Sequence, residues 1–281
     1  MIGATDKSWN SAITLYIARE IELLADGKQI SVLDMGCGRG VMLEQLLDYG
    51  YDLYGYDFPI RSDLLRTRLS RYFGEAYEDR IRLVGDERSI PFEDDSFDVI
   101  YANQVFEHVK FFERMMSECA RVLKPHGVLL ANFPVATYPI EGHLKIPFAH
   151  WIPPGRLRVR YLQAFYASGV GRPRVKGWSA LKMARMQDQI LREQVYYRFM
   201  NEIENVAKEY FESLEIKTDR LVRAKLDMMA IDRNPVKRCV ASLLPRCEGR
   251  LMNYLVTHFY NAAFQMKHPR KIGKSGAIIR P

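Results

Sequence analysis

The chain has 281 residues, of which 48% are hydrophobic, so it can bury the core of one elaborated domain or of two small ones. Lys and Arg exceed Asp and Glu by 41 to 34, and this net charge of +7 favours an anionic partner such as a phosphate-bearing substrate, a nucleic acid or an anionic membrane surface. A soluble protein that is simply basic fits the same charge.

The sequence excludes a membrane span, because no apolar run approaches the roughly 20 residues required. The amino-terminal segment has no apolar signal core and the four cysteines form no CxxC pair, which predicts a cytoplasmic protein with reduced thiols.

Strand-like runs alternate with helical patterns over the first half of the chain, which is typical of a parallel sheet with crossover helices. In chain order we predict a helix at Trp9–Leu24, a strand at Ile30–Met35, a helix at Val41–Tyr49, a strand at Tyr51–Asp57, a helix at Ser62–Tyr72, strands at Ile81–Gly85 and Phe97–Ala102, a helix at Phe112–Leu123 and a fifth strand at Val128–Phe133. The predicted fold class is therefore α/β.

The alternation ends after Pro134. An irregular, aromatic and proline-rich stretch continues to about Trp178, and helical patterns then fill Ala180–Phe211. Beyond them the sequence predicts a sixth strand at Leu214–Lys217, a helix at Val236–Leu244, a seventh strand at Thr257–Met266 and a loosely held basic tail at Lys267–Pro281. An insert after strand five is expected to lie over the carboxyl ends of the strands, where open α/β sheets bind ligands.

The strongest motif is a glycine-rich turn between the first strand and the next helix. Its sequence, Asp34-Met35-Gly36-Cys37-Gly38-Arg39-Gly40, lets a ligand approach the main chain closely. A dinucleotide-binding turn has the spacing G-x-G-x-x-G, whereas here the spacing is G-x-G-x-G and Val41 takes the place of the third glycine. The carboxylate of Asp34 would repel a pyrophosphate, but it would pair with the ammonium group of a sulfonium cofactor.

Four motifs in sequence resemble those of the class I S-adenosylmethionine-dependent methyltransferases, and within them the type 11-like group whose best-known members modify quinones, sterols and sugars. They are the glycine turn, Asp57 at the end of the next strand, Gly85-Asp86-Glu87 with Ile90-Pro91-Phe92, and Phe97-Asp98-Val99-Ile100. The resemblance covers roughly residues 25–135. It implies a Rossmann-like class I methyltransferase fold, with a seven-stranded, mostly parallel sheet and a helical insert after strand five.

The resemblance implies S-adenosyl-L-methionine as the cofactor and a small molecule as the methyl acceptor. The glycine turn would hold the methionine part, Asp57 the ribose hydroxyls and the acids after strand three the adenine amino group. The expected cofactor-binding residues are Asp34, Gly36, Cys37, Gly38, Asp57, Phe58, Asp86, Glu87, Asn103 and Gln104. We predict a single methyltransferase domain over residues 1–281, with a cofactor-binding core at 25–135, an insert or lid at 136–212 on the substrate side, and C-terminal strands with a basic tail at 213–281.

The candidate catalytic residues lie in the insert. A hydroxyl acceptor needs a base to take its proton, and Glu141, His143 and His150 are available there. Histidine suits this task because its ordinary pKa of about 6.5 lies near working pH. Each histidine fits equally well as a hydrogen-bonding residue inside a folded loop.

A metal site is the second possibility. Gln104, Glu107 and His108 share a face if their segment is helical, and His143 can approach from the insert. This arrangement resembles that of metal-dependent methyltransferases acting on small-RNA ends and of ubiquinone-pathway O-methyltransferases. Gln104 stands where an acid is expected, which removes a charged ligand, so the sequence weighs against a divalent metal.

A basic, aromatic run follows at Trp151–Arg160. Its arginines, Arg156, Arg158 and Arg160, suit a clamp on a phosphate or carboxylate of an anionic substrate. The alternation of arginine with leucine and valine also suits a half-exposed strand.

The leading hypothesis is an enzyme that O-methylates a hydroxyl of a polar small molecule such as a sugar, a glycoconjugate or a secondary metabolite. The alternatives are an RNA methyltransferase and a non-catalytic binding partner that keeps the fold. Nucleic acid is disfavoured because the sequence shows no RNA-binding appendage and no platform of interleaved basic and aromatic residues. The sequence leaves the oligomeric state open.

Overall fold

The computed structural model describes residues 11–59, 62–84, 89–243, 262–272 and 278–279. The helices are α1 (Ala12–Ala25), α2 (Val41–Leu46), α3 (Ser62–Phe73), α4 (Tyr77–Arg80), α5 (Phe112–Val122), α6 (Arg156–Ala167), α7 (Ala180–Glu193), α8 (Met200–Tyr210), α9 (Thr218–Ala230) and α10 (Pro235–Leu243). The strands are β1 (Ser31–Met35), β2 (Asp52–Asp57), β3 (Ile81–Leu83), β4 (Phe97–Asn103), β5 (Leu123–Phe133), β6 (Ile140–Glu141), β7 (Ile146–Pro147), β8 (Phe211–Ile216), β9 (Ala262–Pro269), β10 (Lys271–Ile272) and β11 (Ile278–Ile279).

A seven-stranded sheet in the order β3-β2-β1-β4-β5-β9-β8 forms the centre of the molecule. Strands β1 to β5 pair in parallel, and β9 runs antiparallel to both β5 and β8. The predicted mostly parallel, Rossmann-like sheet is thereby confirmed. The chain order reverses between β1 and β4, and in such sheets a crevice opens at the carboxyl ends of these two strands.

Apolar clusters cover both faces of the sheet. On one face α5 and α8 pack against the strands, with Met115 and Ile203 fully buried. On the other face α1, α2, α3 and α9 contribute, among others, Leu15, Leu43 and Leu221. Strands buried on both sides explain why β1 and β4 are almost continuously apolar in sequence.

The segment after β5 has an apolar cluster of its own, built on the hairpin of β6 and β7 and on helices α6 and α7. Its fully buried members include Leu144, Ile146 and Leu162. The Tyr161 hydroxyl donates to the Pro147 carbonyl at 2.8 Å, which fixes α6 against the hairpin. The division of the chain at residues 25–135, 136–212 and 213–281 stays a prediction.

The strand interpretation of Arg156–Arg160 is wrong, because these residues begin helix α6. Arg158, Leu162 and Tyr166 are its buried residues, and their spacing of four places them on one helix face. Arg158 does not reach out as part of a clamp. Its Nε donates to Asp188 Oδ1 at 2.5 Å in a buried ion pair between α6 and α7.

Smaller differences concern the ends of elements. The stretch before Trp178 is less irregular than expected, since it contains β6, β7 and α6, and helix α9 was not predicted. Strand β9 continues to Pro269, so the first residues of the supposed loose tail are part of the sheet. The predicted start of this strand, residues 257–261, lies outside the described residues. Within the described part of the chain, no helix is both long and apolar enough to cross a bilayer.

Candidate functional site

The glycine turn leaves β1 in a conformation that only glycine adopts readily. Gly36 has φ of +74°, and its N–H donates to the Tyr56 carbonyl at 2.8 Å. A Cβ atom at Gly36 would overlap a methyl group of Val105, which follows β4. Gly38 has φ of +56° and open space where a side chain would project. The turn is therefore packed on one side and free on the other, as contact with a ligand requires.

The carboxylate of Asp57 supports this turn from the end of β2. One of its oxygens accepts from the Gly38 N–H, and the other accepts from the Phe58 N–H at 2.6 Å. Each carboxylate oxygen has a second acceptor site, so these bonds leave capacity for a ligand hydroxyl.

Two cavities adjoin the turn at the carboxyl ends of β1 and β4. The larger, of about 440 Å³, is lined by Met35, Gly36, Gly38, Tyr56, Asp57, Phe58, Gln104, Val105, His108, Val109 and Met115. The smaller, of about 260 Å³, is lined by Ser11, Thr14, Asp34, Gly36, Cys37, Arg39, Val41, Met42, Tyr101 and Asn103. Gly36 borders both cavities, so an elongated ligand crossing the turn can occupy the two together.

Asp34 is the buried carboxylate of the smaller cavity. Burial raises its pKa to about 8, the nearby charge of Asp57 adds to the rise, and the Tyr101 hydroxyl opposes it. A carboxyl group with this pKa is mainly protonated at neutral pH, and a cation beside it would restore the charged form.

Of the remaining residues predicted to bind the cofactor, Asn103 and Gln104 contact Asn132, and Cys37 is buried. Asn103 accepts from the Asn132 side-chain amide at 3.1 Å, and Gln104, at φ of +57°, donates its N–H to the Asn132 carbonyl at 2.8 Å. The Cys37 thiol is buried, and a Cβ atom at Gly55 would lie 3.1 Å from its Sγ, so this side chain packs towards β2. Asp86 and Glu87 lie outside the described residues.

A histidine pair adjoins the larger cavity, which His108 lines and His143 reaches only through its contact with His108. His143, from the hairpin loop, has its Nε2 at 3.1 Å from Nε2 of His108. His108 Nδ1 lies 2.7 Å from the Gln194 carbonyl and His143 Nδ1 lies 2.8 Å from Glu141 Oε1. Because both of these partners accept, each Nδ1 carries a proton, and in the neutral forms the two Nε2 lone pairs face each other.

Glu107 completes this group. Its side chain is 1% exposed, neither carboxylate oxygen has a hydrogen-bond partner, and burial raises its pKa to about 7. One ligand atom each from Glu107, His108 and His143 lie within 4.8 Å of one another. The three residues weighed from sequence as metal ligands are thus together, whereas the Gln104 amide lies 3.3 Å from the Asn132 carbonyl and donates to it.

Glu141 orients His143, and neither residue lines either cavity. It is fully buried, and besides His143 it accepts from the Tyr197 hydroxyl at 2.6 Å and from the Leu144 N–H at 2.5 Å. Burial alone would raise the pKa of Glu141, but the His143 and Tyr197 donors hold it below its ordinary value. The bond to Glu141 in turn raises the pKa of His143.

His150 is not part of the pair. Its Nε2 lies 3.1 Å from the Ala136 carbonyl, its ring centroid lies 4.6 Å from that of Tyr197, and burial lowers its pKa. Of the three catalytic candidates, the structure therefore brings Glu141 and His143 together and places His150 behind Tyr197.

Tyr197 and Arg198, in the connection between α7 and α8, were not predicted as site residues from the sequence. The Arg198 guanidinium donates to the carbonyls of Phe106 at 2.9 Å and Val109 at 2.5 Å, on either side of Glu107 and His108. The Tyr196 N–H donates to the Glu107 carbonyl at 2.7 Å. This connection has no periodicity, so only its aromatic and basic composition could have drawn attention to it.

Comparison with known proteins places the similarity in the sheet core. A family profile described as a methyltransferase domain matches residues 33–131. A sterol 4-C-methyltransferase of Caenorhabditis elegans is 32% identical over 113 residues, which cover 40% of this chain and 32% of that protein. The mitochondrial ubiquinone biosynthesis O-methyltransferase of Homo sapiens is 31% identical over 102 residues, which cover 36% of this chain and 27% of that protein.

A solved structure extends the likeness of fold to most of the chain. The S-adenosylmethionine-dependent methyltransferase of Mesorhizobium loti matches with a TM-score of 0.51 and 12% sequence identity, covering 92% of this chain and 98% of that one. The matched sequence spans only about a third of the length of each curated relative described above.

Proposed function

Residues 33–131 belong to the S-adenosylmethionine-dependent class I methyltransferases, and from this premise we propose that the chain transfers a methyl group from that cofactor to a hydroxyl of a small molecule. The observation that carries the proposal is the pair of cavities joined at Gly36, with a buried acid in one and Asp57 in the other. The comparison with O-methyltransferases of ubiquinone biosynthesis supports oxygen as the acceptor atom.

The cofactor would lie across the glycine turn. Its ammonium group would pair with Asp34 in the smaller cavity, and its ribose hydroxyls would bind Asp57 in the larger one. Phe58, beside Asp57, would contact the adenine. We propose Asp86 and Glu87 for the adenine amino group on the motif resemblance alone.

His143 is the proposed base. In its neutral form Nε2 takes the proton of the acceptor hydroxyl while the oxygen attacks the methyl carbon, and the carbon–sulfur bond breaks to leave a neutral thioether. The acceptor oxygen must be held about 3 Å from that carbon, in line with the sulfur. Glu141 holds the opposite ring nitrogen of His143, so that Nε2 is the nitrogen presented to the site.

A divalent cation is the competing way to activate the hydroxyl. Glu107, His108 and His143 would hold it, and the unpartnered carboxylate of Glu107 is the observation that favours it beyond what the sequence indicated. Such an ion would supply Lewis acidity that lowers the pKa of the acceptor hydroxyl. Calorimetric titration of the protein with Mn²⁺ or Zn²⁺ alone, beside the Glu107→Gln variant, separates this alternative from a metal-free base.

Two classes of methyl acceptor are proposed. A polar small molecule such as a sugar, a glycoconjugate or a secondary metabolite follows from the sequence. The name of the ubiquinone-biosynthesis relative supports instead a hydroxyl on a more apolar frame. The name of the sterol relative supports an apolar acceptor too, but one that is methylated at a carbon. The clamp for an anionic acceptor is reduced to the exposed Arg156 and Arg160, because Arg158 is occupied by Asp188.

The alternatives to a small-molecule enzyme are an RNA methyltransferase and a non-catalytic partner. The cytoplasm remains the proposed compartment, supported by Cys37, Cys119 and Cys239, which are free thiols.

Transfer of a labelled methyl group tests the proposal. A panel of hydroxylated sugars, phenols and sterols is incubated with labelled cofactor and with either wild-type protein or His143→Gln. We expect one acceptor class to be methylated and His143→Gln to lower kcat about 100-fold or more, as for loss of a general base. His150→Gln is the matched control and should lose far less. Equal losses in the two variants would contradict His143 as the base, and labelling of RNA alone would favour the first alternative function.

A further inference from the structure

The insert contains a long stretch of chain without acidic residues. No Asp or Glu occurs between Glu141 and Asp188, whereas nine Lys and Arg residues do. Only Arg158 among them pairs with Asp188 inside the protein. Six of the others are exposed side chains close to the hairpin and α6, namely Lys145, Arg156, Arg160, Arg172, Arg174 and Lys176. The surface here therefore carries positive charge with no acid from the same stretch to balance it.

Large apolar side chains are exposed within the same stretch. Phe148 is 44% exposed and Trp151 is 51% exposed, and their ring centroids lie 4.9 Å apart. Leu157, in the first turn of α6, is 70% exposed and stands between Arg156 and Arg160 in sequence. Exposed apolar groups gathered among cations differ from the single exposed side chains found on most protein surfaces.

Hydrogen bonds tie the segments that carry these residues to one hairpin. The Arg172 N–H donates to the Leu144 carbonyl at 2.9 Å, which brings the loop of Arg172, Arg174 and Lys176 against the hairpin. Tyr161 fixes α6 to the same hairpin through the Pro147 carbonyl. We name the exposed residues Lys145, Phe148, Trp151, Arg156, Leu157, Arg160, Arg172, Arg174 and Lys176 the basic–aromatic surface.

We propose that the basic–aromatic surface docks on an anionic phospholipid bilayer. Its cations attract acidic headgroups, Trp151 suits the headgroup level, and Leu157 can enter the acyl boundary. The surface fits single-stranded RNA less well. The Phe148 and Trp151 rings contact each other at a tilt of 42° and so offer no pair of open parallel faces for successive bases, and an exposed leucine gives no stacking. Docking requires no methyl transfer, so this inference is independent of the proposed reaction.

The docked orientation would bring the catalytic hairpin to the membrane. His143 lies in the loop between β6 and β7, only two residues before Lys145 of the surface. A bilayer contacting this surface would therefore adjoin the loop that carries the proposed base, and an acceptor held in the bilayer could reach it.

Vesicle sedimentation tests the proposal on the full chain. Vesicles of phosphatidylcholine alone are compared with vesicles containing about 30% phosphatidylglycerol, at low and high salt. The surface variant is Arg156→Gln with Leu157→Ser. The matched control is Leu23→Ser with Lys28→Gln. Leu23 is 51% exposed, and both residues precede β1, so they lie at the amino ends of the parallel strands, whereas the insert follows the carboxyl end of β5.

We expect the wild-type protein to sediment with the acidic vesicles only, and to be released by salt. In the surface variant, loss of one charge should lower the partition coefficient onto acidic vesicles about fivefold, and loss of Leu157 should lower it further. The control variant should retain most of its vesicle binding, because its residues lie outside the surface. Tryptophan fluorescence should be quenched by brominated acyl chains, and Trp151→Phe should remove much of that quenching. Equal sedimentation of the two variants, absence of binding to acidic vesicles, or an RNA affinity that depends on Arg156 without lipid binding would each overturn the proposal.

Discussion

The buried carboxyl of Asp34 makes cofactor binding depend on pH in a defined direction. In the free protein its pKa of about 8 keeps it mainly protonated at pH 7. The cofactor ammonium favours the carboxylate, so binding should release about 0.9 proton at that pH. From pH 6 to pH 7 the ionisation becomes easier and affinity should increase about ninefold, with a smaller gain as the pH approaches 8. Measurements between pH 6 and 7 keep the cofactor's own amino group mainly charged.

Asp34→Asn removes the charge while keeping the shape of the protonated acid. Loss of one partner of a buried ion pair costs about 3–5 kcal/mol. The wild-type protein, however, must first ionise Asp34 at pH 7, which costs about 1.4 kcal/mol. The difference of roughly 1.6–3.6 kcal/mol corresponds to an increase in Kd of about 15- to 400-fold.

Titration calorimetry with S-adenosylhomocysteine measures both effects. Buffers with different ionisation enthalpies report the released proton, and a pH series reports the slope of affinity. For Asp34→Asn we expect weak binding, no proton release and a Kd that hardly changes with pH. A wild-type Kd that is independent of pH in this range, or an Asn variant that binds as tightly as wild type, would refute the pairing of Asp34 with the ammonium group.

Three further predictions concern other contacts. Gly36→Ala should weaken cofactor binding at least tenfold, because its Cβ would overlap Val105, and Gly36→Ala with Val105→Ala should recover part of the affinity in the same titration. Arg158→Ala should lower the free energy of unfolding by about 3–5 kcal/mol in urea melts, because it leaves Asp188 buried without its charge partner. Arg158→Met with Asp188→Leu removes both charges and should lower the free energy of unfolding much less. Tyr197→Phe should reduce kcat without changing the Kd for cofactor, because the lost hydroxyl donates to Glu141, which only orients His143; a changed Kd with unchanged kcat would contradict that role.

The candidate site could be predicted from sequence wherever its residues follow strands directly. Asp34, Gly36, Gly38 and Asp57 come at the ends of β1 and β2, and the carboxyl ends of adjacent parallel strands meet at one edge of the sheet. Glu107 and His108 were identified by spacing alone, and their approach to His143 was only one possibility among several. The role of His150 could not be predicted from sequence, because a residue type that suits a base does not determine which way its ring points.

Local sequence patterns determined the α/β class, the succession of the first five strands along the chain and the glycine turn. Each of these depends on residues close together in the chain. The tertiary structure decided what the insert does. Arg158 meets Asp188, and Tyr197 meets Glu141, across 30 and 56 residues of sequence. No local pattern encodes such pairs, because a buried charge takes its partner from whichever helix or loop packs beside it. The same packing turned Arg156–Ala167 into a helix, which leaves Arg156 and Leu157 exposed.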